Sequence, residues 1–409
     1  LSIMNHTKYL YSKDKTKHCK LYFIIVAIFT GQLFHAQAKE SEFIFTCQPY
    51  LQQVSGTEAT IMWATNKDAV SWVEIAPNDT LHFYAAERPQ FFDTNFGRKK
   101  IGKLHKIRIT GLTPATSYRY RIFSKEITHK EHQDIRYGRT IANDVYKGKP
   151  YIFSTTVPSK NKIHFAVVND IHENTERYSS LFHAIDSASL DFMILNGDMV
   201  NKMDSAQQMY KSFINTSSQL YAKTIPFFMV RGNHETRGNY SEEYANLFPS
   251  PTGQPYYSFS RGPVYFIVLD GGEDKPDSDI EYNGLADFDK YRDEEAIWLK
   301  QIINSNEYRK ASVHIVLIHV PPTGDTWHGS LEVQSKFIPI LNNAGIDLML
   351  SGHIHRHAYY SPDKTLCKFP LLINSNRHIL DITVDNMYIN INMINEQGLS
   401  EKQFKFDVK

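Results

Sequence analysis

The chain has 409 residues, more than one compact core accommodates, so two or three domains are expected. At 42% hydrophobic and 22% charged it has a globular make-up, which excludes long disorder, and a net charge of +1 excludes a nucleic-acid binder held by a strong basic field. Three cysteines exclude a disulfide scaffold and a four-cysteine metal site; beside 18 histidines and 44 carboxylates, any metal is expected on imidazole and carboxylate.

Residues 5 to 20 are polar and basic, with Lys8, Lys13, Lys15, Lys17 and Lys20 against Asp14. An apolar run of 14 residues, Leu21 to Phe34, follows and ends in Ala36-Gln37-Ala38. The run is shorter than the ~20 residues a spanning helix needs, and small-x-small is the form of a signal-peptidase site. Residues 1–38 therefore read as a cleaved signal peptide, an uncleaved anchor being the alternative. Cys19 precedes the run, so it is not placed for lipidation. No second long apolar run follows, so no stable membrane span is expected after cleavage and the destination is secreted or periplasmic. The remainder carries 40 basic and 43 acidic side chains, a net charge of −3. Cys47 and Cys367 are left as a disulfide pair or as separate buried thiols.

From residue 43 to 157 the signals are those of short strands. Thr60 to Ala64 and Val70 to Ile75 are β-branched and aromatic and alternate, as do His105 to Thr110 and Ser117 to Phe123. Gly111 to Thr116 is a turn cluster between the last two, and Tyr151 to Thr155 is a final strand. This reads as a β-sandwich with Trp63, Trp72, Tyr118 and Tyr120 in its core. Val157 to Asn161 reads as a linker.

From residue 162 to 409 the pattern becomes strand, loop, helix. Ile163–Asn169, Phe192–Asn196, Ile225–Val230, Val264–Leu269, Ser312–Val320 and Asp347–Leu350 are apolar runs of buried strands. Helices fit residues 176–188, 204–221, 293–305 and 333–343, and strands return over Phe369–Asn392. This is an α/β layered domain.

The strand ends carry the chemistry. They deliver Asp170-Ile171-His172, Gly197-Asp198, Gly232-Asn233-His234-Glu235, His319 and Gly352-His353-Ile354-His355. Strand carboxyl ends form the crevice where ligands sit in such sheets. A hydrolytic di-metal centre needs one shared carboxylate, a place Asp198 suits, flanked by neutral or singly charged ligands. If the strand continues, Asp170 and His172 share one side; Asn233 offers a neutral oxygen. Any one of these residues alone is better read as a turn, cap or hydrogen-bonded residue. Five such ends in one chain support two divalent or trivalent metal ions; the ligand types suit Fe, Mn, Zn, Co or Ni without choosing among them, and Fe, Mn or Zn is expected.

The series D-x-H, G-D, G-N-H-E, H, G-H-x-H resembles the calcineurin-like metallophosphoesterase superfamily. Leu112 to Ile122 resembles a late-strand signature of fibronectin type III-like domains, and Gln48-Pro49-Tyr50-Leu51-Gln52 the start of the purple acid phosphatase N-terminal domain. The resemblance implies a fibronectin type III-like sandwich followed by an α/β/β/α metallophosphoesterase domain. It assigns Asp170, His172, Asp198 and His355 to a first metal, and Asp198, Asn233, His319 and His353 to a second. It leaves His234 beside the phosphoryl group as the catalytic residue, with Glu235 orienting it. The chain departs from the purple enzymes in having His172 in the first motif and Asn201 where a metal-binding tyrosine stands, so a colourless enzyme is expected.

The expected reaction is attack of a metal-bridging hydroxide on a small phosphomonoester, releasing phosphate. A phosphodiesterase or nucleotidase on the same metals is the first alternative, and an inactive binding or adhesion protein the remote one. His328, His357, Arg177, Arg237 and Arg356 are further candidates near motif loops, each more simply a surface residue.

Overall fold

The first sheet of the chain is organised by one strand too long to serve a single partner. In the computed structural model, which describes residues 41–148, 150–157, 160–323 and 326–408, this is β2, Glu58–Pro77. The expected signal peptide and Pro158-Ser159 of the expected linker lie outside the described residues. Thr60–Ala64 and Val70–Ile75, expected as two strands, are the two halves of β2. Its first half pairs with β1 (Phe45–Gln52) and β6 (Gly102–Thr110); its second half pairs with β3 (Gln90–Phe92) and β7 (Ser117–Glu131). The β6 register shifts between Ala64 and Ala69, where the strand changes partners. Such an irregularity bends a strand from one layer into another. Ile61 and Trp63 of one half and Val73 and Ile75 of the other share one buried cluster, so the bend closes a sandwich. β7 continues into β8 (Asp134–Ala142) and also pairs with β9 (Tyr151–Ser154); β4 (Thr94–Asn95) and β5 (Arg98–Lys99) form a small hairpin.

Trp63 and Tyr120 are in the sandwich core as expected. Trp72 is not: it lies on the outer face, stacked on Phe123 at 4.8 Å. In a strand, successive side chains face opposite ways, and Val73 has the inward place.

Two six-stranded sheets follow. One has the order β12-β11-β10-β19-β20-β21, with β10 Lys162–Val168, β11 Phe192–Asn196, β12 Phe227–Val230, β19 His378–Asp385, β20 Tyr388–Asn395 and β21 Ser400–Asp407. The other has the order β13-β14-β15-β16-β18-β17, with β13 Tyr257–Arg261, β14 Val264–Val268, β15 Val313–Leu317, β16 Leu348–Ser351, β17 Ala358–Tyr360 and β18 Leu371–Ile373. Phe165, Ile194 and Val230 of the first sheet share a buried cluster with Phe266, Ile315 and Leu350 of the second. The outer faces are covered by helices: α1 (Thr175–His183) and α2 (206–222) on one, α3 (Phe288–Ile302) and α4 (His328–Lys336) on the other. The architecture is α/β/β/α.

The sandwich and the first sheet share a core. Cys47, Tyr50 and Met62 join the cluster of Phe213, Tyr221 and Phe227. The Gln48 N–H donates to Asn215 Oδ1 at 2.9 Å, Asn215 Nδ2 to the Thr46 carbonyl at 3.1 Å, and Gln52 Nε2 to the Phe227 carbonyl at 3.1 Å. Cys47 and Cys367 are separate buried thiols in different clusters. Among the described residues no helix is long and apolar enough to cross a membrane.

Candidate metal centre

β10, β11 and β12 run parallel, and so do β14, β15 and β16, which brings six strand ends to one edge, all but that of β14 carrying the motif residues. β10 stops at Val168. Asp170 (φ 53°), His172 (47°) and Glu173 (65°) then take the left-handed conformation. Asp170 and His172 therefore converge through a coiled turn and not through strand alternation, correcting the expectation. Asp198 (52°), His353 (75°) and His355 (55°) are left-handed too, so five of seven candidate ligands sit where side chains are disfavoured. Each costs about 1–3 kcal/mol and persists only where its surroundings hold it.

The glycines make room. A Cβ on Gly197 (φ 83°) would lie 2.4 Å from the His319 ring, and one on Gly232 2.2 Å from Asp198 Oδ1.

Three sets of donor atoms gather within 4.8 Å: Asp170, His172 and His355; Asp198, His319 and His353; and His172, Asp198 and His234. His319 Nδ1 donates to the Asn196 carbonyl at 2.7 Å, which turns Nε2 inward, 3.0 Å from Asp198 Oδ2 and 3.7 Å from Asp170 Oδ1. His355 Nε2 lies 3.2 Å from Asp170 Oδ1. Asp170 Oδ1, His319 Nε2 and His172 Nδ1 are buried without a hydrogen bond. One amide atom of Asn233 lies 3.0 Å from His353 Nδ1 and 3.3 Å from Asp198 Oδ2; the other lies 3.1 Å from Arg237 Nη2. Among protein atoms alone the nitrogen suits the inner place. An oxygen there faces only acceptors, an arrangement a cation reconciles.

The local field has one sign. Burial pulls the His319 imidazole down, but the Asp198 and Asp170 carboxylates outweigh it and raise it to about 10. The Asp170 carboxylate, 3.2 Å away, raises His355. Burial first, helped by His234 and His355, pulls His172 down against the Asp198 and Asp170 charges. A buried pair of carboxylates ringed by imidazole nitrogens is the donor set of a cation site, a cation taking the place of the protons those carboxylates otherwise draw onto the rings.

His234 donates from Nδ1 to the Asn201 carbonyl at 2.7 Å and holds Nε2 3.8 Å from Asp198 Oδ2. Glu235 does not orient it. The Glu235 carboxylate is fully buried and accepts the N–H groups of Asp198 (2.8 Å), Met199 (2.8 Å) and Gly232 (2.9 Å), so it braces the Asp198 loop. Burial first, then the Asp198 charge, pushes Glu235 up to about 7.

Asp198, Asn233, His234, His353 and His355 line a cleft of about 320 Å³ together with Arg237, Asp274 and Trp327. Arg237 is gripped by Glu273 at 2.6 and 2.8 Å and by Asp274 at 2.9 Å. Glu273 and Asp274, unforeseen from the sequence, follow β14, and an acidic strand end was their signal. The other candidates lie elsewhere. His328 pairs with Asp289 at 2.7 Å in a cluster with Glu332 whose charge Arg292 and Lys336 answer. His357 bonds to the Ile373 carbonyl, Arg177 faces Glu396 at 3.6 Å, and Arg356 is exposed.

Comparison with known proteins matches residues 163–357 to the calcineurin-like phosphoesterase family and residues 46–140 to the purple acid phosphatase N-terminal domain. Residues 163–357 are a calcineurin-like phosphoesterase domain. Purple acid phosphatase 18 of Arabidopsis thaliana is 24% identical over 326 residues, covering 76% of this chain and 65% of its own length. The serine/threonine-protein phosphatase CPPED1 of Mus musculus is 28% identical over 176 residues, 41% of this chain and 54% of its own. The chain thus spans about half to two thirds of these relatives. A purple acid phosphatase from yellow lupin shares the fold with a TM-score of 0.62 at 15% identity, covering 87% of this chain and 73% of that one. The phosphoesterase domain carries the cleft, and the sandwich has the place of the purple-phosphatase N-terminal domain.

Proposed function

We propose that this chain is a dinuclear metal-dependent phosphoester hydrolase acting on small phosphomonoesters. The observation that carries the reading is the pair of buried, hydrogen-bond-free donor atoms Asp170 Oδ1 and His319 Nε2 beside Asp198, with His172 and His355 turning Nε2 toward Asp170. Asp170, His172, Asp198 and His355 would hold one cation; Asp198, Asn233, His319 and His353 would hold the other. When bound, such a pair supplies a water nucleophile at neutral pH and neutralises phosphoryl charge.

The chain's own residues do the rest. Asp198, nearly fully buried, would be shared between the cations. Nδ1 of His234 is committed to Asn201, so Nε2 faces the cleft as hydrogen-bond donor to a phosphoryl oxygen and proton donor to the leaving oxygen. The small cleft favours a monoester over a bulky diester. The basic, apolar and small-residue order of residues 1–38 is read as an export signal.

The test is elemental analysis of the purified chain with turnover of p-nitrophenyl phosphate and bis-p-nitrophenyl phosphate under Mn, Fe and Zn. Two ions per chain and faster monoester turnover are expected. Faster diester turnover would sink the monoester reading, and absence of metal and activity would leave a binding protein.

A further inference from the structure

One element of the cleft serves neither cation. Trp327 is 52% exposed, whereas the other three tryptophans, Trp63, Trp72 and Trp298, are buried or half-buried. It lines the same cleft as His234, His353 and His355. Ile354, between the two histidines, lines it too and packs its inner side on the core of the second sheet. An indole kept at the surface costs solubility without adding to the core, and one beside a polar centre marks a contact for an apolar ligand group.

The indole is mounted on fixed backbone. Trp327 is the residue before α4, and its carbonyl accepts the Leu331 N–H at 3.1 Å. The Gly329 N–H donates to the Asp274 carbonyl at 2.8 Å, and a Cβ on Gly329 would lie 2.7 Å from Asp274 Cα. Helix start and cleft wall are therefore pressed together.

The charges around the indole restrict what can stand beside it. Arg237 and Lys275 line the cleft, but both are answered: Arg237 by Glu273 and Asp274, Lys275 by Glu281 at 3.0 Å and Asp279 at 3.9 Å. Among the described residues lining the cleft, a second phosphate on the leaving group finds no uncommitted Lys or Arg and meets two buried carboxylates. A flat neutral ring finds an indole face and an aliphatic side chain.

We infer that Trp327 and Ile354 form a leaving-group subsite, and that the substrates are phosphate monoesters of aromatic alcohols with no further anionic group. The inference rests on the phosphomonoesterase reading and names its substrate class. The ring stacks on Trp327 while the phosphoryl group lies at the Asp198 and His234 end of the cleft. Neither residue is a catalytic residue.

The experiment compares Trp327→Ala and Trp327→Phe with the parent on phenyl phosphate and on glycerol 2-phosphate. Inhibition by phenylphosphonate and methylphosphonate is measured alongside. For Trp327→Ala, KM for phenyl phosphate and Ki for phenylphosphonate should rise about tenfold, the scale of losing one ring stack. The glycerol phosphate and methylphosphonate constants should stay within about twofold, because they place no ring on the indole. Trp327→Phe should restore most of the loss. Equal losses on ring and non-ring ligands, or none, would overturn the subsite. If the parent turned over neither ester, the functional reading would fall, while direct calorimetric binding of the two phosphonates to the parent and to Trp327→Ala would still decide the subsite.

Discussion

His172 and His355 point their Nε2 atoms at each other across 3.0 Å, on elements 183 residues apart. Two neutral imidazoles arranged so cannot both present lone pairs without repulsion, and Asp170 stands beside both, 3.9 Å from one and 3.2 Å from the other. Either a proton or a cation reconciles the pair, and the buried, hydrogen-bond-free Oδ1 of Asp170 favours the cation. His172→Ala is expected to remove one of two bound ions per chain and to leave the second, with melting temperature little changed without metal. Iron-loaded parent should show no visible charge-transfer band, because His172 and Asn201 stand where the purple enzymes have a glycine and a metal-binding tyrosine. Metal analysis and an absorption spectrum check both; a purple iron form would refute this ligand set.

His234 should behave differently. Its Nδ1 is occupied and its Nε2 is 3.8 Å from Asp198, so it touches the cleft without being needed by either proposed four-residue set. His234→Ala is expected to keep both ions and lose about 10²- to 10⁴-fold in kcat, the usual worth of a positioned proton donor. The loss should shrink on substrates with better leaving groups, since they need less protonation. A variant with full turnover, or one that loses metal, would remove the role.

Gly197 and Glu235 hold the Asp198 loop from two sides. Gly197→Ala must move the His319 ring, since the new Cβ would sit 2.4 Å from it, and must hold an alanine at φ 83°. Glu235→Gln trades an acceptor of four backbone N–H groups for an amide that can satisfy only part of them. Both variants should lower metal affinity by about tenfold or more, as losses around ligands commonly do, and should weaken both ions together because Asp198 is shared. Metal titration of each apo-variant checks this; loss confined to one ion would count against Asp198 as the shared ligand.

The site was more legible in the sequence than its supports were. Asp170, Asp198, Asn233, His319 and His353 each follow an apolar run by one to three residues, and a strand end is a local feature. The turn that aims Asp170 and His172 was not legible, because its three left-handed residues, Asp170, His172 and Glu173, are held by the carbonyl groups of Gly197, Asp198 and Met199, which accept their N–H groups from another loop. Glu235 was assigned by adjacency to His234, whereas its carboxylate bonds 36 and 37 residues back along the chain. In the sandwich the alternation of β2 was clear, but its continuity through Asn66-Lys67-Asp68 was not, since those residues look like a turn and are carried by pairing. Strands β1, β3, β4, β5, β8, β13, β17 and β21 were missed; β21 is an edge strand with six of its eight residues exposed, where the apolar signal fades.

The sandwich supplies a pH dependence free of the metal site. His105 is 4% exposed, and its Nε2 lies 2.9 Å from Thr65 Oγ1, whose own proton goes to the Lys67 carbonyl at 2.8 Å. The ring is therefore a neutral Nε2–H donor, packed 5.4 Å from Trp63. Burial lowers it from 6.5 to about 3. The unfolded chain takes up this proton below pH 6.5 and the folded chain does not until about pH 3, so stability is full above 6.5 and falls as pH drops through that window. The slope from this one group approaches 1.4 kcal/mol per pH unit, discounted for partial relaxation. His105→Gln keeps a donor for Thr65 and cannot titrate. Denaturant midpoints from pH 7 to 4 should fall less steeply for the variant than for the parent, the two curves converging toward acid pH. Parallel curves would show that His105 is protonated in the folded sandwich and that its burial is compensated by another group.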